Sequence, residues 1–143
     1  MNALLEVVVL PVSDPDRSLR FYRDQVGFVL DVDYAPVPDF RVIQLTPEGS
    51  AASIQFGVGL TDARPGSVQG LYLVVDDIEG YRAVLAGRRV TVSEIRHKNA
   101  EGGWHGGFLP GVDPDRADYA SFADFRDPDG NAWVLQERNH RPA

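Results

Sequence analysis

The sequence predicts an α+β fold built from two βαβββ modules, and three observations carry that prediction. Strand-like and helix-like segments follow one another in the same order twice along the chain. The residues L-P-V-S-D at 10 to 14, which lead into the first predicted helix, match L-V-V-D-D at 73 to 77 as L-x-V-x-D. The turn T-P-E-G-S at 46 to 50 matches D-P-D-G-N at 127 to 131. A repeated supersecondary unit generally means that neither copy buries its apolar face alone. One domain of two modules is therefore expected, the first at 4–60 and the second at 69–138.

In the first module, Leu4 to Val12 is apolar and β-branched, as a strand covered on both faces requires. Asp14-Pro15 supplies a helix cap and a first-turn proline. Leu19, Tyr22 and Val26 then recur at helical spacing until Gly27 ends the run. Strands are predicted at 28–34, 40–45 and 52–58. In the second module Leu71 to Val75 is strand-like, and Asp77 caps a helix carrying Ile78, Tyr81, Val84 and Leu85 that Gly87 can end. Strands are predicted at 90–96, 120–126 and 132–137. The second module is the longer, and its extra residues fit in the Gly-rich connection between Lys98 and Asp118, with G-G-W-H-G-G at its centre.

The D-P-D-G-N stretch reads as a turn that launches a strand. Proline fixes one φ, glycine supplies a positive φ, and the Asp and Asn side chains bond the turn's own backbone. A calcium loop would need a glutamate at its twelfth position, and Arg138 stands there. The carboxylates are expected to be structural.

Composition narrows the function classes. The chain has 143 residues, 43% of them apolar, which is enough for a real core. A net charge of −7 opposes a nucleic-acid surface, because phosphate recognition needs clustered Lys and Arg. Without cysteine there is no disulfide frame, no thiolate nucleophile and no Cys-ligated zinc. No apolar run approaches the roughly 20 residues of a membrane helix, and the start lacks a basic leader, so a soluble, cytoplasmic protein is expected. Neither a phosphate-binding loop nor a dinucleotide fingerprint is present.

L-P-V-S-D-x-x-x-S-x-x-F-Y-x-x-x-x-G-F at 10 to 28, L-x-V-x-D at 73 to 77 and D-P-D-G-N-x-W-x-L-Q-E at 127 to 137 together resemble the vicinal-oxygen-chelate superfamily. That group includes glyoxalase I, the extradiol dioxygenases, and the fosfomycin and bleomycin resistance proteins. The resemblance spans essentially the whole chain. It implies curled mixed sheets around a common cleft, often completed by a homodimer. In metal-dependent members, His, Glu or Gln side chains at four strand positions hold a divalent ion that acts as a Lewis acid. Carried onto this sequence, those positions are Val7, then Ser53 or Gln55, then Gly70, then Val134. Glu6 and Gln69 lie adjacent. Three positions offer no side-chain ligand, so the family's metal site is expected to be absent and no cofactor is expected.

Strand alternation assigns Leu5, Val7, Val9, Ser53, Gln55, Tyr72, Val74, Val134 and Gln136 to the cleft. It places Val8, Leu10, Ile54, Phe56, Leu71, Leu73, Trp133 and Leu135 under the helices. The resulting lining is apolar with a few amides and a phenol, as small-ligand pockets are. His97, read two residues beyond Ile95 on a strand, is the candidate general base. Trp104 and His105, flanked by glycines, are candidate ligand contacts on a loop. The principal expectation is a metal-free binder of a small apolar or aromatic molecule. A metal-dependent lyase or dioxygenase drawing on Glu6, Gln69, His97 or His105 is the second reading, and a non-catalytic dimerisation module the third.

Overall fold

The computed structural model describes residues 1–99, 101 and 106–142. Contacts divide the chain into two units. The first comprises 1–69 together with 127–131, and the second comprises 70–126 together with 132–143. The sheets are curled and mixed, one in each unit.

The first unit opens with β1 (Val7–Val9), followed by α1 (Pro15–Arg20). The Asp14 carboxylate accepts from the Arg17 amide and caps α1, and Pro15 occupies the first turn. The helix then widens into a π-helical turn, Phe21–Val26, whose last carbonyl bonds include Gly27 N to Tyr22 O at 3.0 Å. Gly27 ends it in the left-handed region at φ 94°, a conformation a side chain would oppose. Next come β2 (Val29–Val37), β3 (Phe40–Thr46) and β4 (Ser53–Val58), in the sheet order β1-β4-β3-β2 with β1 parallel to β4. Leu10, Ile43, Leu45, Ile54 and Phe56 are buried with Leu19, Phe21, Tyr22, Val26 and Phe28. Tyr22 sits among this cluster, its ring 5.8 Å from that of Phe28 and 5.7 Å from that of Phe56.

The second unit repeats the order with one addition. β5 (Leu71–Val75) leads into α2 (Ile78–Gly87), capped by the Asp77 carboxylate on the Gly80 amide at 3.0 Å. After it come β6 (Arg96–Lys98), β7 (Phe108–Pro110), β8 (Ser121–Arg126) and β9 (Ala132–Glu137). The sheet order is β5-β9-β8-β6-β7, with β5 parallel to β9. The extra residues of this module thus contribute a hairpin partner, β7, at the sheet edge. Phe125 and Trp133, direct partners on β8 and β9, stack at 6.0 Å beneath α2.

The expected boundaries hold for β5 and β9 and nearly so for β2, β3, β4 and β8. Two expectations need correction. The strand predicted from Leu4 is confined to Val7–Val9, with Leu4 and Leu5 exposed, because β4 offers partners only from Ser53 onward. The strand predicted over 90–96 reduces to an isolated bridge between Val92 and Phe125, and continuous pairing begins at Arg96.

Glu137, only 1% exposed, closes the second unit. Its carboxylate accepts the Ile78 amide at the start of α2 at 3.0 Å and the Arg116 guanidinium at 2.8 and 2.6 Å. Burial alone pushes the Glu137 carboxyl up, but Arg116, the Ile78 amide and His140 outweigh it and hold it below its ordinary value. A depressed carboxyl contributes stability that is complete above the unfolded value, about 4.3, and is lost as pH falls through the folded value. Glu137→Gln is therefore expected to lower stability at pH 7 by about 2 kcal/mol. It should also flatten the loss of stability between pH 5 and pH 3, read from urea midpoints at each pH.

Candidate functional site

Register decides which side chains share a face. In the first sheet Val7 pairs with Ser53, Val9 with Gln55 and Gln44 with Gln55. These side chains, with Thr46, Val42, Val32 and Tyr34, line the face turned away from α1, here called the far face. It is a valine floor crossed by two polar rows. Gln55 donates to Gln44 at 2.8 Å, and the hydroxyls of Thr46 and Ser53 lie 2.6 Å apart. Thr46 also donates to the Asp31 carboxylate.

Asp31 stands on this face at a β-bulge, which keeps Val32 on the same face and turns Asp33 to the other. Leu30 pairs with Leu45 and Val32 with Gln44, so Asp31 is the extra residue between them. A bulge re-aims a side chain that strict alternation would place elsewhere. Here the result is that the acid and Val32 serve the same face.

On the second sheet Tyr72 pairs with Val134, and Val134 with Asp124. Val74 pairs with Gln136, Gln136 with Phe122, and Phe122 with Arg96. These make the far face of the second unit. Arg96 grips Asp124 at 2.6 and 3.1 Å, and its guanidinium lies 4.9 Å from the Phe108 ring and 5.7 Å from the Phe122 ring. The Phe108 and Phe122 rings meet edge to face at 5.6 Å. A planar cation held by a carboxylate and flanked by aromatic rings is a rigid platform on which a flat molecule can lie.

The sequence-predicted residues fall as follows. Val7, Ser53 and Gln55 share the far face of the first sheet, and Tyr72, Val134 and Gln136 that of the second. Leu10, Ile54, Phe56, Trp133 and Leu135 are buried, as alternation requires of the opposite faces. Gly70 lies just before β5 at φ 81°, and the residue that pairs with Val134 is Tyr72.

His97 departs from the expectation. It pairs with Ser121 and so shares the face of Ser121, Ala123 and Phe125, which are all buried. Its Nδ1 lies 2.8 Å from the Gly111 carbonyl oxygen, and the residue is 9% exposed. His97 does share a face with Ile95, but that face is the one turned to α2 and not the far face. Trp104 and His105 lie outside the described residues.

Sequence reasoning missed Asp31, Gln44 and Thr46, and it missed Arg96, Asp124, Phe108 and Phe122. Gln44 and Thr46 were within reach of the same alternation rule applied to β3. Asp31 follows from Leu30 by the same rule, but its separation from Asp33 does not, since nothing local to L-D-V announces a bulge.

The family's metal positions can be tested on these faces. Ser53 or Gln55 brings one hydroxyl or one amide, and Val7, Gly70 and Val134 bring no ligand atom. A set without a carboxylate or an imidazole does not fit a divalent ion. Among the described residues, a group with metal-ligand geometry forms from Asp77, Glu137 and His140, whose ligand atoms lie within 4.8 Å. Both Glu137 oxygens there are bonded to Arg116, so this group is an ion-pair node. A groove of about 430 Å³ lined by Glu79, Arg82, Glu94, Ile95, Pro110 and Gly111 contains none of the predicted residues.

The sequence profile of the Glyoxalase/Bleomycin resistance protein/Dioxygenase superfamily matches residues 4–135. The chain belongs to that superfamily. No curated protein matches it. Among solved structures it is similar to TnmS3, an antibiotic binding protein from Streptomyces sp. CB03234, at 29% identity and a TM-score of 0.71, covering 95% of this chain and 96% of that one. It is also similar to a glyoxalase/bleomycin resistance protein from the same Streptomyces strain, at 30% identity and a TM-score of 0.69, over 93% and 99% of the two chains. A superfamily member from Sphaerobacter thermophilus DSM 20745 shares 25% identity at a TM-score of 0.71, over 96% and 98%. Among the described residues no helix is long and apolar enough to cross a membrane.

Proposed function

We propose that this glyoxalase-superfamily chain is a metal-free binding protein that sequesters a small, mostly apolar or aromatic molecule. What supports the reading is that Val7 and Val134, where the family resemblance puts metal ligands, carry no ligand atom and are each set in a far face of apolar side chains with a few fixed polar groups. Such faces recognise a ligand by burying its surface and orienting it through a few hydrogen bonds. The antibiotic-binding activity of TnmS3 supports the same reading.

Chemistry on the substrate has less support. Among the described residues neither far face carries a histidine, and His97 bonds a backbone carbonyl on the other side of its sheet. The Arg96 guanidinium, tied to Asp124, is a fixed donor that orients a ligand. A homodimer belongs to the proposal, supported by the exposed apolar side chains Leu4, Leu5, Val29 and Val37.

Two measurements test it. Calorimetric titration with nickel, zinc, manganese and iron(II) is expected to give no stoichiometric binding. A screen of polycyclic aromatic antibiotics by intrinsic fluorescence is expected to return binders whose affinity a chelator leaves unchanged. One tightly bound divalent ion per chain would overturn the metal-free reading.

A further inference from the structure

We infer that the row formed by Asp31, Thr46 and Ser53 selects ligands that present a protonated amine to the first sheet's far face. This deepens the binding reading above and rests on it.

The argument is a count of protons. Thr46 has one hydroxyl proton and donates it to the Asp31 carboxylate. The 2.6 Å contact between Thr46 and Ser53 must then be a bond in which Ser53 donates and Thr46 accepts. The row therefore runs Ser53 to Thr46 to Asp31, and both of its protons are consumed internally. What it offers outward is lone pairs: those of the Ser53 oxygen, which is buried, and those of the exposed Asp31 carboxylate. An acceptor-only edge is satisfied by a donor and disfavours another acceptor.

Charge sharpens the choice. Among the described residues no Lys, Arg or His pairs with Asp31, whereas Asp33, two residues on, is taken up by Arg41 on the helix side. The bulge is the device that makes the difference. It inserts Asp31 between Leu30 and Val32 and leaves the acid on the valine face without a protein cation. An ammonium group beside Val7 and Val9 would supply both the missing charge and the missing protons, with its apolar body on the valine floor.

The test compares three probes that share a naphthalene body: 1-naphthylmethylamine, 1-(methoxymethyl)naphthalene and 1-naphthoate. Each is titrated into the whole 15N-labelled protein and into its Asp31→Asn and Thr46→Val variants. The amine is expected to bind about five-fold more tightly than the ether, and naphthoate more weakly than either. Amide shifts should centre on Asp31, Thr46 and Ser53. Asp31→Asn should erase the preference for the amine over the ether. Thr46→Val, which frees Ser53 to donate, should raise the affinity for naphthoate. If the ether shifts Val7 and Val9 but the amine binds no better, or if Asp31→Asn keeps the preference, the selection rule fails and the binding reading survives. If no probe perturbs Val7, Val9 or Gln55, both fail.

Discussion

Asp127→Ala is expected to cost about 4 kcal/mol of stability, more than any other single truncation considered. One carboxylate oxygen accepts the amides of Asp129, Gly130 and Asn131 at 2.9, 3.0 and 2.9 Å. The other accepts the Asn131 side-chain amide at 2.8 Å and the Tyr22 phenol at 2.9 Å. Asp127 is 5% exposed and Tyr22 is fully buried, so removing the acceptor leaves a phenol and several amides without a partner. Each such group costs about 1–3 kcal/mol when buried, and the sum is limited by water reaching the turn. Tyr22→Phe removes only one of these bonds and should cost about 1 kcal/mol. Urea midpoints measure both, provided the slope of the transition is unchanged. Equal costs for the two variants would show that Asp127 is not the hub.

Gly57→Ala is expected to cost about 3 kcal/mol or more. A Cβ built on Gly57 would stand 1.8 Å from the Arg41 carbonyl oxygen, and that atom is backbone of the neighbouring strand β3. No rotamer change relieves such a clash; the two central strands of the first sheet must separate. Gly49→Ala is the control. Gly49 has φ 81° but nothing within 4 Å, so only the left-handed backbone penalty of about 1 kcal/mol applies. The difference between the two midpoints isolates the close approach of β3 and β4.

Local chemistry made much of the fold legible. Asp14 and Asp77 cap the two helices because a side-chain oxygen must satisfy their first free amides, and Gly27 ends the first because that position needs a positive φ. Alternation found the faces of β4 and β9 because those strands pair along their whole length. It failed at His97 because it gives a shared face but not which one, and that is set by pairing with β8 rather than by the residues of β6. It could not set Asp31 and Asp33 on opposite faces, because a bulge is a property of two strands in register. Reading the D-P-D-G-N carboxylates as structural agrees with their bonds, but the turn's long-range partners were invisible. Asp129 accepts the Ser13 hydroxyl at 2.6 Å, and Asn131 donates to the Pro11 carbonyl at 3.0 Å.

Residues 127–131 pack within the first unit, whereas β8 and β9 on either side belong to the second, and this constrains the order in which the protein can be made. Tyr22 and Asp127 are 105 residues apart. A nascent chain emerging at about 5–20 residues per second has its first helix long before the acceptor for that helix's buried phenol exists. The N-terminal unit is therefore the first to be synthesised and among the last to be finished. Its completion waits on a loop 105 residues further along the chain, and contacts of such long range slow folding. Emergence of residues 127–131 is the step that turns a half-satisfied core into a closed one.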